Sequence, residues 1–108
     1  ALVAYEDRPL AYDGWNIDPF YEEKPYPLAT VGTTERVRVI ETGPVRAGME
    51  IVRRFRASII TQRVYLYAHS PRLEFATEAD WHEKQTLLRA LFAVQVHTDR
   101  ATFDTQFG

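Results

Sequence analysis

The stretch spanning residues 72–96, RLEFATEADWHEKQTLLRALFAVQV, constrains the fold of this chain more than any other. Leu73, Phe75, Thr77, Ala79 and Trp81 occupy one phase of its first half, and Arg72, Glu74, Ala76, Glu78 and Asp80 the other. Side chains alternate faces along a strand, so a period of two describes a half-buried β-strand. The polar break His82-Glu83-Lys84-Gln85 follows, and a second alternation then sets Leu88, Ala90, Phe92, Val94 and Val96 on one face. Two such runs flanking a short polar connection predict an antiparallel pair. Leu87, Leu88 and Leu91 also have helical spacing, but period two persists through Val96 and favours strand over a helical turn.

The same logic extends upstream. Residues 35–42 alternate through Val37 and Val39, Gly43-Pro44 turns the chain, and Val45, Ala47, Met49 and Ile51 share one face of a returning strand. Residues 58–68 are rich in β-branched and aromatic side chains (Ile59, Ile60, Thr61, Val64, Tyr65, Tyr67), which fit a pleated surface. His69-Ser70-Pro71 is the next expected turn, and residues 101–107 the last expected strand. About six strands with tight connections predict an all-β chain, an antiparallel meander within a β-sandwich. A sheet that stops at its last strand keeps an open edge.

Composition divides the chain into two zones of one domain, 1–108. Residues 1–34 hold four of the six prolines and six of the fourteen aromatics, so this lead-in is expected to form short extended pieces and turns. Residues 35–108 carry the antiparallel strands. An apolar fraction of 45% is that of an ordinary globular chain, and 108 residues suffice for one core. A net charge of -2 gives neither a nucleic-acid footprint nor a polybasic membrane patch, and no apolar run approaches a membrane span. The chain has no cysteine, which fits a reducing compartment and a cytoplasmic setting. It begins at Ala1 without methionine, and is expected to be a piece of something longer.

No phosphate loop, nucleophile elbow or His-Glu-x-x-His zinc helix occurs in the sequence. The densest polar constellation is Asp80, His82 and Glu83, with Glu78 nearby; His and carboxylates can serve as metal ligands or as general acid and base. A charged turn anchored by a buried Trp81 is the simpler expectation, because neighbours on a strand point opposite ways. Arg53, Arg54, Arg56 and Arg63 form the one basic concentration, expected to lie on a solvated sheet face or to meet an anion. Trp15 and Tyr21 are the best candidates for a sugar platform, although such rings more often anchor loops.

These residues also carry a family resemblance. Asp80-Trp81-His82-Glu83, followed by Leu87-Leu88-Arg89 and Phe92, resembles a signature of the β-rich C-terminal region of family 38 glycoside hydrolases, the retaining α-mannosidases. Asp13, Trp15 and Asp18, followed by Tyr21-Glu22-Glu23-Lys24, resemble the start of that region, with departures at Gly14 and Asn16. Glu41-Thr42-Gly43-Pro44-Val45-Arg46 resembles its glycine-proline hairpin, and residues 59–63, 65–67 and 70–73 the strands before the tryptophan motif. The pieces occur in the family's order over nearly the whole chain.

The resemblance implies a non-catalytic domain of an enzyme that cleaves terminal α-mannosides with retention. Zinc, nucleophile and acid/base would sit in the parent's catalytic domain, against which this domain packs; no metal ligand and no catalytic residue is implied here. The β region resembles part of a galactose mutarotase-like supersandwich. Asp13, Trp15, Asp18 and Tyr21 are the implied candidates for carbohydrate contact, and Trp81 the structural anchor. Self-association of a piece stripped of its neighbours is expected too. Two other classes remain: a stand-alone carbohydrate-binding module, which needs a coplanar exposed aromatic pair, and a small mutarotase-like enzyme using His82 or His97 with a glutamate.

Overall fold

A computed structural model of the chain describes residues 1–12 and 16–103. The expected strand at 101–107 thus lies largely outside the described residues, and 101–103 carry no strand. Seven strands are present: β1 (Leu2–Glu6), β2 (Pro25–Pro27), β3 (Thr33–Thr42), β4 (Arg46–Phe55), β5 (Ser58–Tyr67), β6 (Ser70–Asp80) and β7 (Thr86–Ala90). The only helical elements among the described residues are a 3₁₀ turn at Tyr21–Glu23 and one α-turn, α1 (Leu28–Val31). The strands form two antiparallel sheets, ordered β2-β1-β7 and β3-β4-β5-β6, as in a β-sandwich.

The long sheet is a meander because its connections are tight. Gly43-Pro44-Val45 joins β3 to β4, Arg56-Ala57 joins β4 to β5, and Ala68-His69 joins β5 to β6. The pairing of β4 with β5 is unbroken from Arg46↔Tyr67 to Phe55↔Ser58. The first residue of its two-residue turn, Arg56, has φ 52, a left-handed backbone that costs a non-glycine residue energy and must be held. Two bulges interrupt β3 opposite β4, between Thr34 and Arg36 and between Val39 and Glu41. Gly48 lies under the Tyr65 ring, so close that a Cβ would sit 2.9 Å from ring carbons, which explains a glycine inside this strand.

The expected pairing across residues 82–85 is corrected. β6 pairs with β5, and β7 pairs with β1, so the two alternating runs belong to different sheets. The polar link is a crossover, not a hairpin: Gln85 has φ 48, and its carbonyl accepts the Asp7 N–H at 2.9 Å. The second run also stops at Ala90 instead of reaching Val96. After that point Leu91 N–H bonds to the Ala1 carbonyl at 2.7 Å, and residues 92–103 have no strand partner among the described residues.

The core gathers at one end of the long sheet. Ala4, Leu28, Phe55 and Ile60 are buried together, with Leu2, Tyr26, Trp81 and Leu88 packed around them. Here β1 and α1 close over the β4–β5 hairpin. Trp81, expected to be buried, is half-buried; it stacks on Phe55 with ring centroids 6.1 Å apart and planes 11° from parallel. Gly32 ends α1 against the hairpin, where a Cβ would lie 2.7 Å from the Leu28 carbonyl oxygen and 3.0 Å from that of Arg54.

Ile60 is 1% exposed at the centre of this cluster. Truncating it to alanine is expected to destabilise the chain by about 2–5 kcal/mol, read as a lower urea midpoint with unchanged slope. Val39→Ala, on the exposed face of the same sheet, is expected to shift the midpoint by less than a quarter as much.

Candidate functional site

Of the four residues proposed for carbohydrate contact, Asp13 and Trp15 lie outside the described residues. Asp18 and Tyr21 are brought together, but by local structure. Asp18 Oδ1 accepts the Phe20 N–H at 2.9 Å and its carbonyl accepts the Tyr21 N–H at 3.1 Å, so Asp18 starts the 3₁₀ turn. Its own N–H donates to Asp7 Oδ1 at 2.7 Å, tying the turn to the chain just after β1. With Glu6, Arg8, Phe20 and Lys24 these residues line a shallow cleft of about 220 Å³.

Tyr21 is engaged on several sides. Its ring meets Tyr5 edge-on at 5.3 Å, and the Arg89 guanidinium lies over the ring 5.4 Å from the centroid. Its hydroxyl donates to Glu22 Oε1 at 2.8 Å, and Arg89 donates both to that hydroxyl and to Glu22. The bond to Glu22 raises the phenol above its ordinary value of 10.0, with Arg89 opposing. The same Tyr21 and Arg89 bonds lower the Glu22 carboxyl. A ring pinned in this way anchors the lead-in to β7, whereas Phe20 beside it is exposed.

The constellation after β6 divides by role. Asp80 and His82 make an exposed pair at 2.8 Å, whereas Glu83 turns inward. Glu83 Oε1 accepts the Ser58 hydroxyl at 2.8 Å and the Ala57 N–H at 3.0 Å, and Arg56 lies 3.9 Å from Oε2. Ser58 is wholly buried, and its oxygen in turn accepts the His82 N–H at 2.9 Å. One carboxylate thereby holds the strained Arg56-Ala57 turn. Among the described residues no three His, Cys, Asp or Glu side chains converge, and zinc takes three or four such ligands, so these side chains do not fit that metal.

The largest polar assembly spans the long sheet. Glu50, 4% exposed in the middle of β4, accepts Arg38 Nε at 2.9 Å and Arg36 at 3.1 Å through Oε1, and Arg63 Nε at 3.1 Å through Oε2. Arg63 also donates to Glu78 at 2.8 Å, which completes a ladder across all four strands. The bond from Arg38, helped by that from Arg63, holds the Glu50 carboxyl below its ordinary value of 4.5, although burial pushes the other way. Further along this face Arg46 donates to Glu41 at 2.9 Å and stacks 4.3 Å over the Tyr65 ring.

The basic run is therefore dispersed. Arg63 joins Glu50, Arg54 pairs with Glu35 at 2.5 Å, Arg53 donates to Gln62 at 3.2 Å, and Arg56 sits in the turn. The grouping by proximity in sequence overlooked Arg36 and Arg38, which register places beside Arg63. Alternation of arginine with valine along residues 36–39 was the signal for them.

The opposite face is apolar. Val37, Val39, Met49, Leu66, Leu73 and Phe75 share it and are all exposed, Val39 by 65% and Leu66 by 60%. Leu73 and Phe75, expected on the covered face of a half-buried strand, are thus exposed; on β4 it is Gly48, Glu50 and Val52, on the charged face, that are buried. A gap of about 360 Å³ opens between this face and the three-stranded sheet, lined by Leu2, Leu28, Ile51, Val64, Phe75 and Phe92 among others.

Comparison with known sequences places the chain. All of residues 1–108 match the model described as the glycosyl hydrolases family 38 C-terminal domain, and the chain belongs to that family. It is 29% identical to human alpha-mannosidase 2C1 over 108 residues and 28% identical to alpha-mannosidase G of Dictyostelium discoideum over 112. Each match takes in 99% of this chain and 10% of the relative, so the chain spans about a tenth of the length of these proteins.

Two outcomes follow from the carboxylates. Glu83→Ala strips the hairpin turn of its acceptor and leaves the buried Ser58 hydroxyl without one; a loss of about 1–3 kcal/mol in chemical denaturation is expected. Glu50 has a folded-state value below its unfolded one, so its contribution is complete above pH 4.5 and is lost as pH falls through the lowered folded value. Melting temperatures should drop along that acid limb, and Glu50→Gln should flatten it.

Proposed function

We propose that this chain is a non-catalytic β domain of a retaining, zinc-dependent α-mannosidase, and that it packs against the catalytic domain of the same polypeptide. The exposed apolar face of the long sheet carries this reading. A soluble surface seldom leaves so contiguous an apolar patch open unless it meets another protein surface. Membership of the family's C-terminal domain and the roughly tenfold greater length of the relatives support such a surface in a longer polypeptide. Zinc, nucleophile and acid/base belong, in this reading, to the catalytic domain, and the substrates are terminal α-mannosides of glycans. The setting is the cytoplasm, and carbohydrate contact falls to the exposed Phe20 end of the lead-in. Deprived of its neighbours, the chain self-associates through the apolar face.

A double variant tests the packing. Val39→Lys with Leu66→Lys changes two exposed sites, each expected to alter the stability of the 108-residue chain by less than about 0.5 kcal/mol. In the full-length protein the same pair buries two charges against the catalytic domain, so hydrolysis of an aryl α-mannoside and the melting temperature should both fall. Unchanged activity and melting in the full-length variant would refute the packing. The unaltered chain should sediment with concentration-dependent mass, and the double variant as a monomer.

The chain by itself is expected to release no product from an aryl α-mannoside, with or without added zinc. Retaining hydrolysis needs two carboxyl groups about 5–5.5 Å apart astride the bond, and this reading assigns both to the catalytic domain. Turnover by the 108-residue chain that vanishes on replacing one of its own carboxylates would overturn the assignment.

A further inference from the structure

Four strand edges bound the two sheets, and three are blunted. β2 is three residues long with proline at both ends, β7 is five residues long, and β3 is broken by two bulges. β6 is different. It runs for eleven residues, and from Leu73 to Asp80 it pairs with β5 without a register shift. Among the described residues no strand lies on its other side. In an antiparallel pair only alternate residues of an edge strand bond to the neighbour, so the other set of backbone N–H and C=O groups along β6 has no partner strand among the described residues.

Its side chains describe what this edge fits. Leu73 and Phe75 stand on the apolar face, 47% and 41% exposed, and Glu74, Glu78 and Asp80 on the charged one. Glu74 takes the Tyr67 hydroxyl on Oε2 and Glu78 takes Arg63 on Oε1; the second oxygen of each has no partner among the described residues. Like charges placed opposite each other across strands are destabilising, and opposite charges are favourable.

We propose that β6 receives a further β-strand from elsewhere in the full-length polypeptide, one with apolar residues opposite Leu73 and Phe75 and lysine or arginine opposite Glu74 and Glu78. The long sheet then has at least five strands. The choice of occupant rests on the reading of this chain as one domain of a longer enzyme, whose relatives carry some nine-tenths of their length outside it. Main-chain bonds supply the affinity of such strand addition, and the alternating side chains select the strand.

Hydrogen exchange on the full-length protein tests the proposal. Alternate amides of residues 73–80 that exchange freely in the 108-residue chain should slow by at least about tenfold in the whole protein, the scale of a single hydrogen bond. Glu74→Lys with Glu78→Lys should bring exchange there in the whole protein back to the rates that the same double variant shows in the chain alone. The milder Glu74→Gln with Glu78→Gln should have an intermediate effect. Equal exchange in the chain and the whole protein would overturn strand addition. Protection that appears in the chain alone and grows with its concentration would assign the edge to a second copy and overturn the proposed occupant. The face substitutions at Val39 and Leu66 report on packing against the catalytic domain, so either reading can fail while the other stands.

Discussion

The arrangement of the two sheets depends on one carboxylate. Glu83 sits in the crossover between β6 and β7, where the chain leaves the long sheet for the short one, and its oxygen is shared by Ala57 N–H and Ser58 hydroxyl at the tip of the β4–β5 hairpin. That tip needs holding because Arg56 adopts a left-handed backbone without the freedom of glycine. Ser58 completes a loop of bonds by accepting from His82 N–H, so the crossover and the hairpin fix each other. Phe55 and Ile60 flank the turn in sequence and form half of the buried cluster. Position the turn, and the core residues of β4 and β5 face β1 and α1; release it, and the small cluster loses the element on which it closes.

A core this small makes the remaining sheet unusual in its charge and apolar distribution. On one face Glu50 is buried beneath three arginines, whose guanidinium groups bond to its carboxylate while their side chains stay partly exposed. Removing one member of a buried charged group is costlier than never having it, so this ladder specifies register more than it adds stability. A slip of one residue would turn Glu50 onto the apolar face and Met49 among the arginines. Glu50 is therefore satisfied within the charged face, and most of the apolar face has no covering layer among the described residues.

Strand existence was legible from period two, and the limits of most strands came close, because alternation is a local property. Three features were not. Which strands pair depends on where the link 82–85 points, and that is decided by Glu83 reaching residues 57 and 58, some 25 positions earlier. Which face is buried cannot be read from apolar content alone when the covering layer lies elsewhere: Leu73 and Phe75 read as core, yet stand exposed. Tyr21 reads, with Trp15, as a candidate sugar platform, and nothing near it in sequence announces that Arg89, 68 residues away, lies over its ring. In each case the deciding contact joins positions distant in sequence, which no window of residues contains. The family resemblance supplied what periodicity could not, since it set the alternating runs in the order of one family's C-terminal domain.

The exposed apolar alternation continues past the last strand, and that continuity bears on how the domain is finished. Phe92 touches Phe75 with ring centroids 5.4 Å apart, so the segment after β7 already reaches over the apolar face of β6. Val94 and Val96 repeat the same phase, 73% and 65% exposed, with no strand to pair against among the described residues. Period-two apolar residues gain burial only when the segment lies flat on a surface, and backbone groups laid on an apolar face need partners of their own. A neighbouring strand meets both needs at once. One end of the long sheet is closed by Ala4, Leu28, Phe55 and Ile60, and over the rest its apolar side stays largely uncovered among the described residues, as the proposed packing against a neighbouring domain requires.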